Sequence, residues 1–299
     1  MSYTYNIKNE ILKREVTSLD DKFAEIRAIL VSKNAILSDK IELRLENREL
    51  AERVYKYLKD ITDLRIVIKY STSKKLGEHN VYIISIQNQN GFKKFTEELS
   101  KYGIELIEGN EKLEASFIRG LFLACGYIKS PEKEYALDFF IDSEEIAEEV
   151  YSILKDEGKK VFKTTKRNKP LVYMRNSEDI MDIIVLMGCM KEFYKYEEMT
   201  IIKDLKNRTI REMNWEVANE TKTLNTGNKQ IKMINYIGKK IGLNSLSPVL
   251  EEIAFLRLQN SESSLQELAE IIGMSKSGVR NRFRRIEEIY NELLEKERE

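Results

Sequence analysis

Residues 118–126 read IRGLFLACG, an apolar stretch with small residues at Gly120 and Ala124, one helical turn apart, and a glycine at its end. Small side chains at i and i+4 share one face of a helix and let a second helix approach closely. The stretch occurs twice. IRAILVSKNAI at 26–36 aligns with IRGLFLACGYI at 118–128, placing Arg27 on Arg119, Ala28 on Gly120, Ser32 on Ala124, Asn34 on Gly126 and Ile36 on Ile128. After a four-residue insertion in the SPEK region the match resumes, ENRELAERVYKYLKD (46–60) against DSEEIAEEVYSILKD (142–156). An ordinary core helix would explain one copy; the second makes a repeat the better explanation.

Each copy predicts the order αββαββα. A helix over 20–33 or 111–125 ends at Asn34 or Gly126, residues suited to a left-handed cap. Alternating strands follow, as in IELRLE (41–46) and YALDFFI (135–141). Next comes an amphipathic helix over 47–60 or 143–157, opened by Asn47 or Ser143 as N-cap. Two more strands (LRIVIKY and VYIISIQ; KKVFKTTKR and PLVYMR) precede a closing helix, GFKKFTEELSKYG or NSEDIMDIIVLMG. The expected fold is therefore α+β, with repeats at 1–105 and 106–200. Their small-residue helices pack across a pseudo-twofold axis, with Arg27 and Arg119 as structural residues at the contact, and the sheets splay into a saddle.

Composition narrows the function. Of 299 residues, 50 are basic and 50 acidic, so a nucleic-acid partner must be met by a local basic face and not by net charge. Cys125 and Cys189 are far apart, sit in apolar runs and define neither a disulfide framework nor a metal spacing. His79, the single histidine, falls in the polar stretch GEHN, which excludes a His-based triad or multi-His metal site. MSYTYNIKNEILKRE lacks a signal-peptide h-region, and no apolar run reaches the roughly 20 residues of a membrane span; a cytoplasmic protein is expected. No Gly-rich phosphate loop appears, so neither cofactor nor small-molecule ligand is expected.

The strongest functional signal is SLQELAEIIGMSKSGVRNRFRRIEEIY at 264–290. Ser264 and Glu267 make a capping box. Ala269, Gly273 four residues later and Val279 six beyond that have helix-turn-helix spacing: a small residue where the helices cross, a positive-φ turn and a β-branched plug. Ser275 or Ser277 caps the second helix. Its polar side carries Lys276, Arg280, Asn281, Arg284 and the neighbouring Arg282 and Arg285, with no acid between Glu270 and Glu287. Arginine pairs bidentately with guanine and asparagine with adenine, so these residues, with Ser275 and Ser277, are candidate contacts to double-stranded DNA; a basic face used for protein contact is the plainer alternative. LSPVLEEIAFLRLQ (246–259) supplies a supporting first helix, and TGNKQIKMINYIGKKIGL is amphipathic through Ile231, Ile234, Ile237 and Ile241. A helical connector with a hinge at Thr226–Asn228 (201–228) precedes this all-α domain (229–299).

The repeat order and IRGLFLACG resemble the LAGLIDADG homing-endonuclease fold. In that fold the signature helix supplies, at its penultimate position, an acid that binds the catalytic metal. Here those positions are Lys33 and Cys125, which departs from the pattern and implies a scaffold without catalysis or metal; a residual endonuclease is the least favoured alternative. Together with the helix-turn-helix and the connector NRTIREMNWEVANETKT (207–223), the whole chain resembles the WhiA family of bacterial sporulation and cell-division regulators. That resemblance implies a nucleoid-associated transcriptional regulator linked to division, chromosome segregation and, in spore formers, sporulation. It implies DNA-contacting or hinge-bracing roles for Arg208, Arg211, Asn214 and Asn219. Lys163, Lys166 and Arg167, on the basic strand 159–169, are candidate phosphate contacts of the saddle. An adaptor binding other transcription, division or segregation proteins is the alternative role.

Overall fold

The computed structural model describes residues 2–73 and 79–297. The chain divides into two compact units after Asp204. The first opens with a helix outside the expected order, α1 (Tyr3–Lys13), capped by the Ser2 hydroxyl and burying Ile7 and Ile11 one turn apart. The first repeat follows as α2 (Leu19–Ser32), β1 (Lys40–Leu45), α3 (Arg48–Ile61), β2 (Val67–Ser73), β3 (His79–Gln87) and α4 (Phe92–Lys101). A one-turn helix, α5 (Ile104–Ile107), leads to the second repeat: α6 (Glu111–Cys125), β4 (Gly126–Ile128), β5 (Leu137–Phe140), α7 (Glu144–Asp156), β6 (Val161–Lys166), β7 (Lys169–Met174) and α8 (Ser177–Leu186).

The second repeat has the full αββαββα order and an antiparallel sheet β4-β5-β7-β6. In the first, the opening strand shrinks to a single bridge between Ile36 and Ile41, leaving a sheet β1-β3-β2. The cause is local. The Leu37 N–H donates to the Lys40 carbonyl at 2.8 Å and reverses the chain at once, whereas the SPEK insertion lengthens the matching hairpin. His79 opens β3 and is not in a loop; its neighbours Gly77 and Glu78 lie outside the described residues.

The helix starts follow capping chemistry, with side chains of Ser18, Asn47, Asn110, Ser143 and Asn176 each accepting from a first-turn N–H. The two signature-helix ends differ from each other. Asn34 is left-handed (φ 47°) as expected, but Gly126 is extended (φ −75°, ψ 141°). Its glycine answers to space: a Cβ there would lie 2.4 Å from Cδ2 and 2.7 Å from Cα of Phe122.

α2 and α6 run side by side in the same direction. Ser116 Oγ meets Asp21 Oδ1 at 3.0 Å, and Gly120 faces the turn Glu25–Ala28, where a Cβ would sit 2.3 Å from the Glu25 carbonyl oxygen and 3.0 Å from the Ala28 Cβ. Close packing buries charge with it. Glu25, fully buried on α2, accepts from Arg53 of α3 at 2.6 and 3.1 Å and lies 3.8 Å from Arg119 of α6. Arg119, whose pKa burial lowers, also donates to Ser116 Oγ at 2.6 Å. Arg27 crosses to Glu149 of α7 at 2.9 Å. Both signature arginines are thus structural. One apolar core, from Ile7 to Tyr196, runs through both repeats.

α9 (Met190–Lys240) is a 51-residue helix that passes the boundary after Asp204 without a break. No hinge interrupts it at Thr226–Asn228. Gly227 is buried within the helix, and a Cβ there would lie 2.6 Å from the Ser261 carbonyl oxygen, so close packing accounts for it. A short 3-10 turn (Leu243–Ser245) leads to α10 (Pro248–Gln259), α11 (Leu265–Ile271) and α12 (Lys276–Lys296). Ile234 and Ile237 join the core of this second unit; Ile231 is half-buried and Ile241 exposed, with Met233 buried instead. Among the described residues no helix is long and apolar enough to cross a membrane.

In a free helix Gly→Ala stabilises by about 1 kcal/mol; Gly120→Ala drives a methyl into the Glu25 carbonyl and instead costs roughly 3 kcal/mol, read as a lower urea midpoint. Glu114, on the first turns of α6, is buried, and burial with the nearby Glu157 pushes its carboxyl up to about 7 from 4.5. The folded state then binds the extra proton, so this group's stabilisation is complete below pH 4.5 and is lost as pH rises through about 7. Glu114→Gln should raise the melting temperature at pH 8 relative to the parent and leave it little changed at pH 4.

Candidate nucleic-acid interface

Two places in the chain gather the candidate residues: the ends of α2 and α6, and the helices α10–α12. The first is the pair of C-terminal ends of α2 and α6. Cys125 is buried, its thiol donates to the Leu121 carbonyl at 3.3 Å, and burial pushes its pKa up to about 11. Lys33 follows α2 directly. The sequence pattern did not single out Lys8, on α1, whose ammonium donates to the Leu123 carbonyl at 3.0 Å and which burial pushes down to about 8. A hard divalent cation needs oxygen ligands, mostly anionic. Two lysines, a protonated thiol and Asp142, whose carboxylate Lys169 holds, do not fit one. The same lysines suit the negative ends of two parallel helix dipoles, worth roughly 0.3–1 kcal/mol per charge at exposed sites.

The basic hairpin β6–β7 is less available than its sequence implies. Strand alternation puts Lys163 on the same side as Val161, where it is held by Glu144 at 3.0 Å and by Glu148. Lys159 pairs with Asp182 and Lys169 with Asp142, each at 2.5 Å. Lys166 and Arg167 are exposed at the tip, Arg167 with a positive φ of 54°.

The second place is α10–α12. Both bonds of the Ser264–Glu267 capping box form. Ala269 is buried under the second helix, Gly273 turns the chain at φ 65°, and Val279, Phe283 and Ile286 fill the core against Ile253 and Ala254 of α10. Ser275 caps α12, accepting from the Gly278 N–H at 3.2 Å, and its hydroxyl meets that of Ser277 at 2.9 Å. Lys276, Arg280, Asn281, Arg284 and Arg285 are exposed on α12. Arg284 lies 3.7 Å from Glu288, one turn along the helix. Arg282 points elsewhere, to Glu252 of α10 at 3.2 Å. On α9, Arg208 pairs with Glu212 at 3.1 Å, while Arg211, Asn214 and Asn219 are exposed.

Sequence patterning overlooked Arg257, a fully buried guanidinium on α10. Its position after a run of apolar residues gave no sign of burial, because the partners that hold it come from α9 and from the loop before α11.

Two repeats joined through paired signature helices, with Lys33 and Cys125 at their ends, and a helix-turn-helix with a cationic second helix define a helix-turn-helix protein on a LAGLIDADG-like scaffold. Family models match each part: the WhiA N-terminal LAGLIDADG-like domain over 24–101, the WhiA LAGLIDADG-like domain over 114–206 and the WhiA C-terminal HTH domain over 210–290. A probable cell division protein WhiA of Clostridium botulinum (strain Hall) is 31% identical over 312 positions, covering 98% of this chain and 99% of that protein. The chain belongs to the WhiA family. The crystal structure of full-length DUF199/WhiA from Thermatoga maritima is similar at a TM-score of 0.56 and 23% identity, covering 98% of each chain. That of the N-terminal LAGLIDADG domain of DUF199/WhiA gives 0.50 at 20% identity, over 62% of this chain and 89% of that one.

Proposed function

We propose that this protein is a sequence-specific, DNA-binding transcriptional regulator that acts in the cytoplasm on the nucleoid. Its targets serve cell division, chromosome segregation and, in spore formers, sporulation; the scaffold does no chemistry. The observation that carries the reading is α12: a helix seated on the second core by Val279, Phe283 and Ile286, with Asn281, Arg284 and Arg285 exposed along it and no acid in its first two turns. In this geometry Ser275 and Ser277 meet a phosphate at the helix start, and Asn281 with Arg285 meets base edges in the major groove. The name of the C. botulinum relative supports the link to division.

Asn281→Ala is expected to cost about 1–3 kcal/mol on a site selected from random DNA and to relax the preference at one base pair. An unchanged affinity and an unchanged selected sequence would reject the reading. Incubated with supercoiled plasmid and Mg²⁺ or Mn²⁺, the protein should leave it uncut; metal-dependent nicking would restore the endonuclease alternative.

The adaptor reading has one observation of its own: Ile210, Met213, Trp215 and Val217 are each more than half exposed on α9. Loss of partner capture by Trp215→Ala with DNA binding intact would favour it.

A further inference from the structure

Beside α12 the second unit opens a groove of about 1300 Å³, walled on its far side by α9. Its lining is strongly cationic. Lys222 and Lys229 come from α9, Arg257 from α10 and Lys276, Arg280 and Arg284 from α12, against one lining carboxylate, Glu287, which Lys229 already neutralises at 2.6 Å. Arg257 is 1% exposed, and among the described residues it bonds to neutral oxygens: Gln230 Oε1 at 2.9 Å and the carbonyls of Asn260 and Ser263 at 3.1 and 2.5 Å. Its guanidinium also lies over the Phe283 ring at 5.5 Å. A buried cation that forms no ion pair with a carboxylate is costly unless an anion offsets it.

The two walls have matching periodicity. On α12 the groove takes Lys276, Arg280, Arg284 and Glu287, spaced by three or four, and leaves out Ser277, Asn281 and Arg285. On α9 the lining runs from Ala218 to Met233, with Ala218, Lys222, Asn225 and Lys229 on one face at intervals of three or four and Asn219 and Thr223 beside them. The same helical face continues away from the groove as Asn214, Arg211 and Asn207, again at intervals of three or four, all exposed and acid-free.

We propose that this groove holds the sugar-phosphate backbone of a DNA strand beside the reading helix, with α9 as the second wall of the DNA site. The inference rests on α12 being a DNA-reading helix, and it divides that helix by role. Lys276 and Arg280 join Lys222 in gripping phosphate, which fixes register and carries no sequence information. Asn281 and Arg285, on the side turned from the groove, are left to the bases. Arg257 is a positioning residue: it holds α9, the loop before α11 and Phe283 together and adds charge under the groove.

The test is anisotropy titration of the full chain on a selected and a scrambled duplex from 50 to 200 mM salt. Each phosphate contact contributes about 0.9 to the slope of log K against log salt. Lys222→Ala and Arg280→Ala should each reduce that slope by about 0.9 and weaken both duplexes by the same factor, leaving their ratio intact. Lys232→Ala, on an exposed position of α9 outside the groove, should change neither. A slope unchanged by Lys222→Ala, or a loss confined to the selected duplex, overturns the proposal. So does tight binding of inorganic pyrophosphate that Lys222→Ala removes, which would assign the groove to a small anion. If the parent chain does not distinguish the two duplexes, the reading of α12 fails instead.

Discussion

The packing of the first unit depends on the contact between Gly120 and the backbone of Glu25. Nothing larger than a hydrogen fits there, so α2 and α6 meet backbone to backbone, and everything around them adjusts to that distance. The approach buries Glu25, whose charge then needs Arg53 and Arg119. Breaking a pair of this kind typically costs 3–5 kcal/mol, because the remaining charge is stranded. The repeat alignment places Arg53 on Glu149, so true symmetry fails at this point. Arg27 finds a carboxylate directly across the repeat boundary, whereas Arg119 would face Arg53. Glu25, which has Phe117 as its counterpart, sits between the two cations and resolves the clash.

With that contact retained, the ends of the same helices have changed character. Parallel helices that finish side by side concentrate negative partial charge, which a metal ion held by acids would offset. Here Lys33 and Lys8 offset it, and a protonated, buried thiol occupies the remaining position. The second unit carries its charges differently. On α12 Lys276, Arg280 and Arg285 are exposed, while Lys159, Lys163 and Lys169 around the β6–β7 hairpin are bound to local acids.

Much of this was legible in the chain itself, for identifiable reasons. Helix caps such as Asn47, Ser143 and Ser264 are local chemistry, and so is the Ala269–Gly273–Val279 spacing. The repeat showed because both copies must meet the same packing demand. What escaped depends on distant partners. α1 carries a readable cap and an Ile7–Ile11 pair, yet its Lys8 gains meaning only against Leu123. Gly126 and Gly227 looked like a cap and a hinge because glycine permits both. Only Phe122 and Ser261 show that space is the reason. Lys163 read as a free cation until strand register placed it beside two glutamates, and the charge of Arg257 is visible only once α9 and α10 are packed.

We propose that the two units divide the labour, the first holding an architecture and the second choosing DNA. Genome-wide mapping of bound DNA for the full chain and for a chain stopped after Asp204 tests it directly. Discrete, sequence-related peaks are expected for the full chain and none for the shortened one. The same peaks from residues 1–204 alone would place site choice in the repeats and contradict it.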